Sequence, residues 1–115
     1  MGPAAFGYLI VKSPVKYRGR VFRIEPGQVI GRREGDILIN DRLVSRQHAR
    51  INLDTRSKPP VFSILDFGTP NGTYVNHRRI DGPQPIEEND EIRLGDHIFV
   101  FKMLLHPREE QSQAG

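Results

Sequence analysis

The feature that most constrains this chain is a succession of short β-favouring runs separated by turn-forming residues. Runs rich in Val, Ile, Phe and Tyr alternate with Gly, Pro, Asn and Asp, a pattern typical of strands joined by tight turns. No apolar stripe with helical spacing persists for three turns. The chain is therefore predicted to be all-β, a β-sandwich of about ten to eleven short, mostly antiparallel strands.

Strand-like runs can be marked along most of the sequence. They are Tyr8–Lys12, Arg20–Ile24, Gln28–Arg32, Ile37–Ile39, His48–Leu53, Val61–Asp66, Thr73–Asn76, Arg78–Ile80, Glu91–Leu94 and His97–Leu104. Within the last run, Ile98–Phe101 is continuously apolar and predicts a strand covered on both faces.

The length of the chain sets its domain organisation. At 115 residues it can enclose one hydrophobic core. We expect one domain over residues 8–105, a disordered N-terminal segment at 1–7 and a disordered polar tail at 106–115.

The absence of cysteine excludes disulfides and cysteine-based zinc sites. No apolar run approaches the length of a membrane span, so we expect a cytoplasmic protein, by default a monomer.

The charge is unevenly distributed. Residues 1–50 hold ten Lys/Arg against four Asp/Glu, a net +6, while residues 51–115 hold seven against ten, a net −3. Such an imbalance can be an ordinary solvated surface. Nucleic-acid binding is disfavoured, because no recognition helix and no pattern of interleaved aromatic residues accompanies the basic residues.

Three short motifs supply hydrogen-bond donors suited to a doubly charged anion. They are Gly31-Arg32, Ser45-Arg46-Gln47-His48 and Asn71-Gly72-Thr73. Arginine offers a planar fork of donors, serine a hydroxyl, and asparagine an amide that both donates and accepts. Each motif alone also has an ordinary structural explanation, and Asn71-Gly72 in particular predicts a type I′ hairpin turn.

Taken together, the order and spacing of these motifs resemble the forkhead-associated (FHA) domain. This family has a β-sandwich fold whose loops at one pole bind phosphothreonine, and the resemblance runs from about Tyr8 to Leu105. It implies that Arg32 reaches the phosphate, that Ser45 donates its hydroxyl to it, and that Arg46 makes a variable contact to phosphate or peptide. It further implies that Asn71 holds the ligand backbone.

Other residues of the resemblance are expected to be structural. His48 would brace its loop from beneath, Val75 would lie in the core, and Thr73 and Asn76 would tie turns or strands. Two glycines, Gly31 at a bend and Gly72 in the expected hairpin turn, complete this set.

One residue departs from the family pattern. Many members have Ser or Thr before the asparagine, whereas this chain has Pro70, which offers neither a hydroxyl nor a backbone N–H. Either Thr69 compensates as a phosphate contact, or the site has fewer donors and leans more on Arg32, Ser45 and Arg46.

The expected function is phosphothreonine-dependent protein binding in serine/threonine kinase signalling. The chain contains only Thr55, Thr69 and Thr73, so we expect another chain, or an unseen part of a longer one, to supply the phosphothreonine. The alternative is a phosphate-independent scaffold of the same fold.

An enzyme is not expected, since Ser45 and His48 lack the strand–turn–helix setting of a hydrolase nucleophile. No cofactor or metal is expected, because the four histidines show no metal-ligand spacing.

Overall fold

The computed structural model describes residues 4–106. They form eleven β-strands, arranged in two sheets, and one short 3-10 helix. The strands are β1 (Ala4–Ser13), β2 (Val21–Ile24), β3 (Val29–Gly31), β4 (Ile37–Leu38), β5 (Ala49–Asp54), β6 (Val61–Asp66), β7 (Thr73–Val75), β8 (Arg78–Arg79), β9 (Gln84–Ile86), β10 (Glu91–Leu94) and β11 (His97–His106), and the 3-10 helix is Val15–Tyr17.

The two sheets form a sandwich. One sheet has the order β2-β1-β11-β10-β7-β8 and the other the order β4-β3-β5-β6-β9. Every pairing is antiparallel except that of β3 with β4. The prediction of an all-β sandwich with about eleven mostly antiparallel strands is confirmed.

The core lies between the sheets and is built from alternate residues of each strand. Ile51 and Ile64 are fully buried on one sheet, and Ile92 and Leu94 on the other, as the two-residue period of a strand requires. Phe62 on β6 and Phe101 on β11 meet edge to face with ring centroids 5.5 Å apart, a favourable aromatic geometry that joins the two sheets.

The apolar run in β11 was interpreted wrongly as covered on both faces. Phe99 and Phe101 are fully buried, whereas Ile98 and Val100 are only half-buried. The inner face packs into the core, and the outer face is shielded only in part, so β11 follows the ordinary alternation of a sandwich strand.

The N-terminal boundary also differs from the prediction. Strand β1 begins at Ala4 instead of Tyr8, and it pairs with β11 from Ala4 opposite His106 onward. Residues 4–7 and His106, which were expected to be disordered, therefore belong to the sheet. Phe6 contributes by packing against His106, with ring centroids 5.4 Å apart. The rest of the predicted disordered segments, residues 1–3 and 107–115, lies outside the described residues.

Two elements were not anticipated. Strand β9 contains Pro85 and pairs only with β6 at the edge of its sheet, the position where a missing N–H is tolerated. The 3-10 helix Val15–Tyr17 lies in the connection between β1 and β2.

None of the helical structure within residues 4–106 is long and apolar enough to span a membrane.

The predicted hairpin turn at Asn71-Gly72 is wrong. The chain reverses instead at Asn76 and His77, whose φ values of +50° and +73° are those of a type I′ turn joining β7 to β8. Asn71 and Gly72 lie in the β6–β7 loop, which carries the chain from one sheet to the other.

Candidate functional site

Three loops meet at one end of the sandwich. They are the β3–β4 loop (32–36), the β4–β5 loop (39–48) and the β6–β7 loop (67–72). The backbone N–H of Arg32 donates to the carbonyl of Ser45 at 2.9 Å, and the side-chain Nδ2 of Asn71 donates to the carbonyl of Leu43 at 2.9 Å. Folding thus brings together Arg32, Ser45 and Asn71, which are far apart in sequence.

Arg32 is half-buried and held by one nitrogen. Its Nε donates to the carbonyl of Val44 at 3.1 Å. The two terminal nitrogens make no hydrogen bond or ion pair with any residue from 4 to 106. The guanidinium therefore has a fixed base and an outer edge of donors available to an anion.

Gly31 is required by the close approach of two backbone segments. A Cβ at this position would lie 2.0 Å from the carbonyl oxygen of Arg46 and 2.3 Å from that of Glu34. The N–H groups of Arg33 and Glu34 both donate to the same Arg46 carbonyl, at 3.4 and 3.0 Å. A side chain at position 31 would separate the β3–β4 and β4–β5 loops.

His48 is fully buried and joins two of the loops. The backbone N–H of Ser45 donates to His48 Nδ1 at 2.9 Å, and because an N–H can only donate, Nδ1 is the acceptor. The ring proton is then on Nε2, which donates to the carbonyl of Gly72 at 2.9 Å. With both ring nitrogens bonded inside the protein, His48 braces the pole from beneath and has no face toward a ligand.

The side chain of Ser45 is in a different situation from its backbone. Ser45 is half-buried, and its hydroxyl forms no hydrogen bond within the described part of the chain. The residue is fixed through its N–H and carbonyl, so the hydroxyl remains available to donate to a ligand.

Arg46 is mostly exposed. Its Nη2 lies 3.3 Å from Glu34 Oε2, and the two side chains are 68% and 50% exposed. Exposed pairs of this kind are worth at most about 1 kcal/mol. The pair can therefore be exchanged for a stronger anion without a large cost.

Asn71 is exposed, and of its two side-chain amide atoms only Nδ2 forms a hydrogen bond within the described residues. Its Nδ2 is bound to Leu43, while Oδ1 accepts no hydrogen bond from residues 4–106. The amide is oriented by one bond, and its oxygen is left as a hydrogen-bond acceptor at the surface.

Thr69, which was predicted to contact phosphate, is buried and forms hydrogen bonds inside the protein. Thr69 is 6% exposed. Its hydroxyl donates to Asp66 Oδ1 at 2.8 Å and accepts from the backbone N–H of Gly72 at 3.0 Å. A hydroxyl has one proton, so Thr69 has none left for a ligand and cannot replace the donor that Pro70 lacks.

Asp66 organises the β6–β7 loop and was missed as a site residue. Its Oδ2 accepts from the N–H groups of Gly68 and Thr69, and its Oδ1 accepts from the hydroxyls of Thr69 and Thr73, all at 2.8 Å. Burial acts to raise the pKa of Asp66, but these hydrogen bonds outweigh it and the pKa is lowered. An Asp two residues before a Gly is a recognisable Asx-turn signal that could have identified it.

Arg79 is a second residue that the sequence did not reveal. It lies on β8, and its Nη2 donates to the carbonyls of Thr69 and Pro70 at 3.1 and 3.3 Å. Its guanidinium also covers Gly72, where a Cβ would lie 2.6 Å from Arg79 Nε. Arg79 thus supports the segment that presents Asn71. Its sequence position carries no signal for this role, because the contact depends on the β7–β8 hairpin.

The β4–β5 loop has its own buried anchor, Asp41. One carboxylate oxygen accepts from the N–H of Leu43 at 2.9 Å, and the other accepts from His97 Nδ1 at 2.9 Å and the N–H of Asp96 at 2.8 Å. Burial acts to raise the pKa of Asp41, but the bonds from His97 and the backbone outweigh it and the pKa is lowered. The anchor fixes Leu43, to which Asn71 is bonded.

The remaining motif residues lie below the pole. Val75 is buried in the core. Asn76 donates from Nδ2 to Asp90 Oδ1 at 2.9 Å and accepts the N–H of Glu91 at 2.9 Å, so it ties the β7–β8 turn to the start of β10. In the described range no group of His, Asp and Glu side chains is arranged to hold a metal ion.

Comparison with known proteins points to one family. The family model for the FHA domain matches residues 28–95, the part of the chain that carries all three loops. The oxoglutarate dehydrogenase inhibitor of Corynebacterium efficiens is 35% identical over 100 residues, which are 86% of this chain and 67% of that protein. The chain thus spans about two thirds of the length of this relative.

Solved structures share the fold. EmbR of Mycobacterium tuberculosis, in complex with a low-affinity phosphopeptide, has a TM-score of 0.70 and 30% identity, over 84% of this chain and 24% of that one. A structure from a study of phosphothreonine-dependent FHA domain interactions has a TM-score of 0.71 and 27% identity, over 90% and 99% of the two chains. The chain therefore belongs to the FHA domain family.

Proposed function

We propose that this domain binds phosphothreonine-containing protein segments through the pole formed by its three loops. The observation that carries the proposal is that three loops, held in place by hydrogen bonds, present polar atoms that have no partner within residues 4–106. These atoms are the terminal nitrogens of Arg32, the hydroxyl of Ser45 and the amide oxygen of Asn71. Preorganised donors bind an anion more tightly because less ordering is required on binding.

Each residue has a separate role in this proposal. Arg32 and Ser45 donate to the phosphate, and Arg46 leaves Glu34 to add a third, exposed contact. Asn71 keeps its Nδ2 on Leu43 and accepts a backbone N–H of the peptide through Oδ1. A phosphothreonine carries about −1.5 to −2 charge near neutral pH and can form one to three charge-assisted hydrogen bonds, which matches this set.

The residue before Asn71 limits the strength of binding. Pro70 has no N–H, and the hydroxyl of Thr69 is spent on Asp66. The phosphate therefore meets fewer donors than in members with Ser or Thr at this position. We expect affinity to depend more strongly on Arg32 than it would in a site with an additional hydroxyl.

We further propose a partner in a serine/threonine kinase pathway. EmbR was solved with a phosphopeptide, and a second neighbour comes from a study of phosphothreonine-dependent interactions.

In this proposal the module is a cytoplasmic, monomeric, non-catalytic adaptor that needs no cofactor. The phosphothreonine comes from another protein or from a part of a longer chain. The binding domain extends beyond residues 8–105 to include the paired ends of β1 and β11.

The alternative function is a phosphate-independent scaffold. The observation in its favour is the loss of one phosphate donor at Pro70 together with the burial of Thr69. A scaffold would bind an unmodified protein through the same loops and would not require charge on the ligand.

Calorimetry with one peptide in three forms separates the two functions. The phosphothreonine form should bind, the unmodified form should lose most of the affinity, and the phosphoserine form should bind only about fourfold more weakly if a single methyl is all that differs. Binding should weaken as pH falls through about 6, because the phosphate loses a charge. Equal binding of the phosphothreonine and unmodified peptides would support the scaffold.

A matched pair of arginine variants tests the site itself. Arg32→Ala should weaken binding of the phosphothreonine peptide by about 2–4 kcal/mol, through loss of charged hydrogen bonds. Arg56→Ala, in the β5–β6 loop at the other end of the sandwich and 93% exposed, should leave affinity unchanged. A folded Arg32→Ala variant with wild-type affinity would remove Arg32 from the site.

A further inference from the structure

The connection between β1 and β2 is an exposed cationic surface. Lys16, Arg18 and Arg20 are all exposed, and the sequence from 13 to 24 contains no Asp or Glu. None of the three cations forms a salt bridge with a carboxylate of the described chain. We call Lys16, Arg18 and Arg20 the basic arch.

An aromatic ring holds the basic arch in a defined arrangement. Lys16 Nζ lies 5.4 Å and Arg20 Cζ 5.5 Å from the centroid of the Tyr17 ring, both within the range of cation–π attraction. Arg18 Nε donates to the carbonyl of Lys12 at 3.0 Å. Three side chains that would otherwise be free are thus partly ordered, which lowers the cost of ordering them on binding.

The basic arch is connected to the phosphopeptide pole through direct contacts. Tyr17 stacks on His97 with ring centroids 5.4 Å apart. His97 bonds to Asp41, and Asp41 accepts the N–H of Leu43. The carbonyl of Leu43 in turn accepts from Asn71. The arch and the proposed peptide acceptor therefore flank the same β4–β5 loop.

Exposed apolar side chains border the cations. Val15 is 71% exposed and Val21 is 56% exposed, so both ends of the connection offer apolar surface to a partner. Aromatic, apolar and cationic groups in one place suit contact with a protein segment. Nucleic acid fits this surface less well, because the exposed valines offer nothing to a phosphate backbone.

We propose that the basic arch binds an acidic segment of the same phosphoprotein, flanking the phosphothreonine. The inference rests on the proposed function of the pole. Extended peptide rises about 3.3 Å per residue, so a flank of about five to six residues reaches about 17–20 Å from the phosphothreonine. The recognised chemistry is an anionic side chain on an extended peptide, either a carboxylate or a second phosphoryl group.

The test uses a phosphothreonine peptide with flanks of different charge. Six-residue extensions, neutral, Glu-rich or carrying phosphoserine, are placed on either side of the phosphothreonine, so that both directions of the bound peptide are tested. One acidic extension should strengthen binding about three- to tenfold, as expected for two or three exposed ion pairs, and the gain should shrink at high salt. The Glu and phosphoserine arms identify which anion is preferred.

Charge reversal assigns the gain to the basic arch. In Lys16→Glu/Arg20→Glu the gain from the acidic flank should vanish, while the peptide with a neutral flank should bind as it does to the wild type. Arg78→Glu, on the exposed strand β8, is the matched control and should keep the gain. Melting temperatures of all variants should lie close to that of the wild type, because the substituted side chains are exposed and lose only the weak cation–π contacts with Tyr17.

Three outcomes would overturn the proposal. They are an equal gain in the charge-reversed variant, no gain with any acidic flank, and tight binding of a random DNA duplex to the arch with no preference for acidic peptide. Failure of the proposed function looks different, since the wild type would then bind no phosphothreonine peptide with any flank. Amide chemical-shift changes at 15–21 on addition of a Glu-rich peptide alone would still report on the arch in that case.

Discussion

Ser45 and Thr69 are both hydroxyl residues of the same pole, yet they differ in what their hydroxyls can do. Ser45 is held by its backbone, through the carbonyl that accepts from Arg32 and the N–H that donates to His48, so its hydroxyl is left unused. Thr69 is held by its hydroxyl, which bonds to Asp66 and Gly72. The same chemical group is thus offered to a ligand in one loop and consumed as structure in the other.

The comparison extends to the layers in which these residues lie. Arg32, Ser45 and Asn71 form an upper layer, each with polar atoms that have no partner in residues 4–106. His48, Asp66 and Thr69 form a lower layer in which the polar atoms are satisfied by one another and by the backbone. A satisfied buried network is rigid and costly to disturb, which is what a fixed binding surface requires.

The largest expected effect comes from removing the centre of the lower layer. Asp66→Ala leaves the hydroxyls of Thr69 and Thr73 and the N–H groups of Gly68 and Thr69 without their acceptor, and should lower the free energy of unfolding by about 3 kcal/mol. Chemical denaturation measures this loss. A variant as stable as the wild type would show that the lower layer contributes nothing to stability.

The same residue predicts a pH dependence of stability. The pKa of Asp66 is lowered below its ordinary value of 3.8 in the folded protein, so its contribution is fully present above 3.8 and is lost as pH falls through the folded pKa. Wild-type stability should therefore decline more steeply below pH 4 than that of Asp66→Ala. Parallel declines would contradict the assignment.

Removing each of the two hydroxyls in turn tests the comparison directly. Thr69→Val leaves the buried N–H of Gly72 unpaired and should lower the free energy of unfolding by about 1–3 kcal/mol. Ser45→Ala should leave stability unchanged and weaken phosphopeptide binding by about 1–2 kcal/mol, since water can partly replace one hydroxyl. Melting curves and calorimetry on both variants separate the effects, and the reverse pattern would exchange the two roles.

The smallest expected effect is at Arg79, which connects the two layers. Arg79→Ala frees the carbonyls of Thr69 and Pro70 and should loosen Asn71, weakening binding by about 0.5–1.5 kcal/mol. Arg78→Ala, the exposed neighbour on β8, is the control. The side-chain amide signals of Asn71 in NMR spectra should shift in the Arg79 variant before any ligand is added, and unchanged signals with unchanged affinity would exclude the support role.

The sequence determined the fold class and the type of site. Short β-favouring runs predicted the sandwich, because a two-residue period and frequent turn residues are properties of local sequence. Arginine, serine and asparagine in their three motifs indicated donors suited to an anion, because donor chemistry belongs to the residue type. The resemblance to the FHA family implied that these residues meet at one pole. Even Gly31 was identified, although the reason for it, the carbonyl of Arg46 within 2.0 Å of a Cβ, involves a residue far along the chain.

Which polar groups remain available to a ligand depends on the tertiary structure. Asn71-Gly72 has the composition of a hairpin turn, yet it lies in a crossover between sheets and the hairpin forms at Asn76 and His77. Thr69 was expected at the ligand and is buried on Asp66, while Arg79 reaches the β6–β7 loop only because β8 folds back beside β7. A residue type states which hydrogen bonds are possible, but burial and neighbours distant in sequence decide which of them are already made.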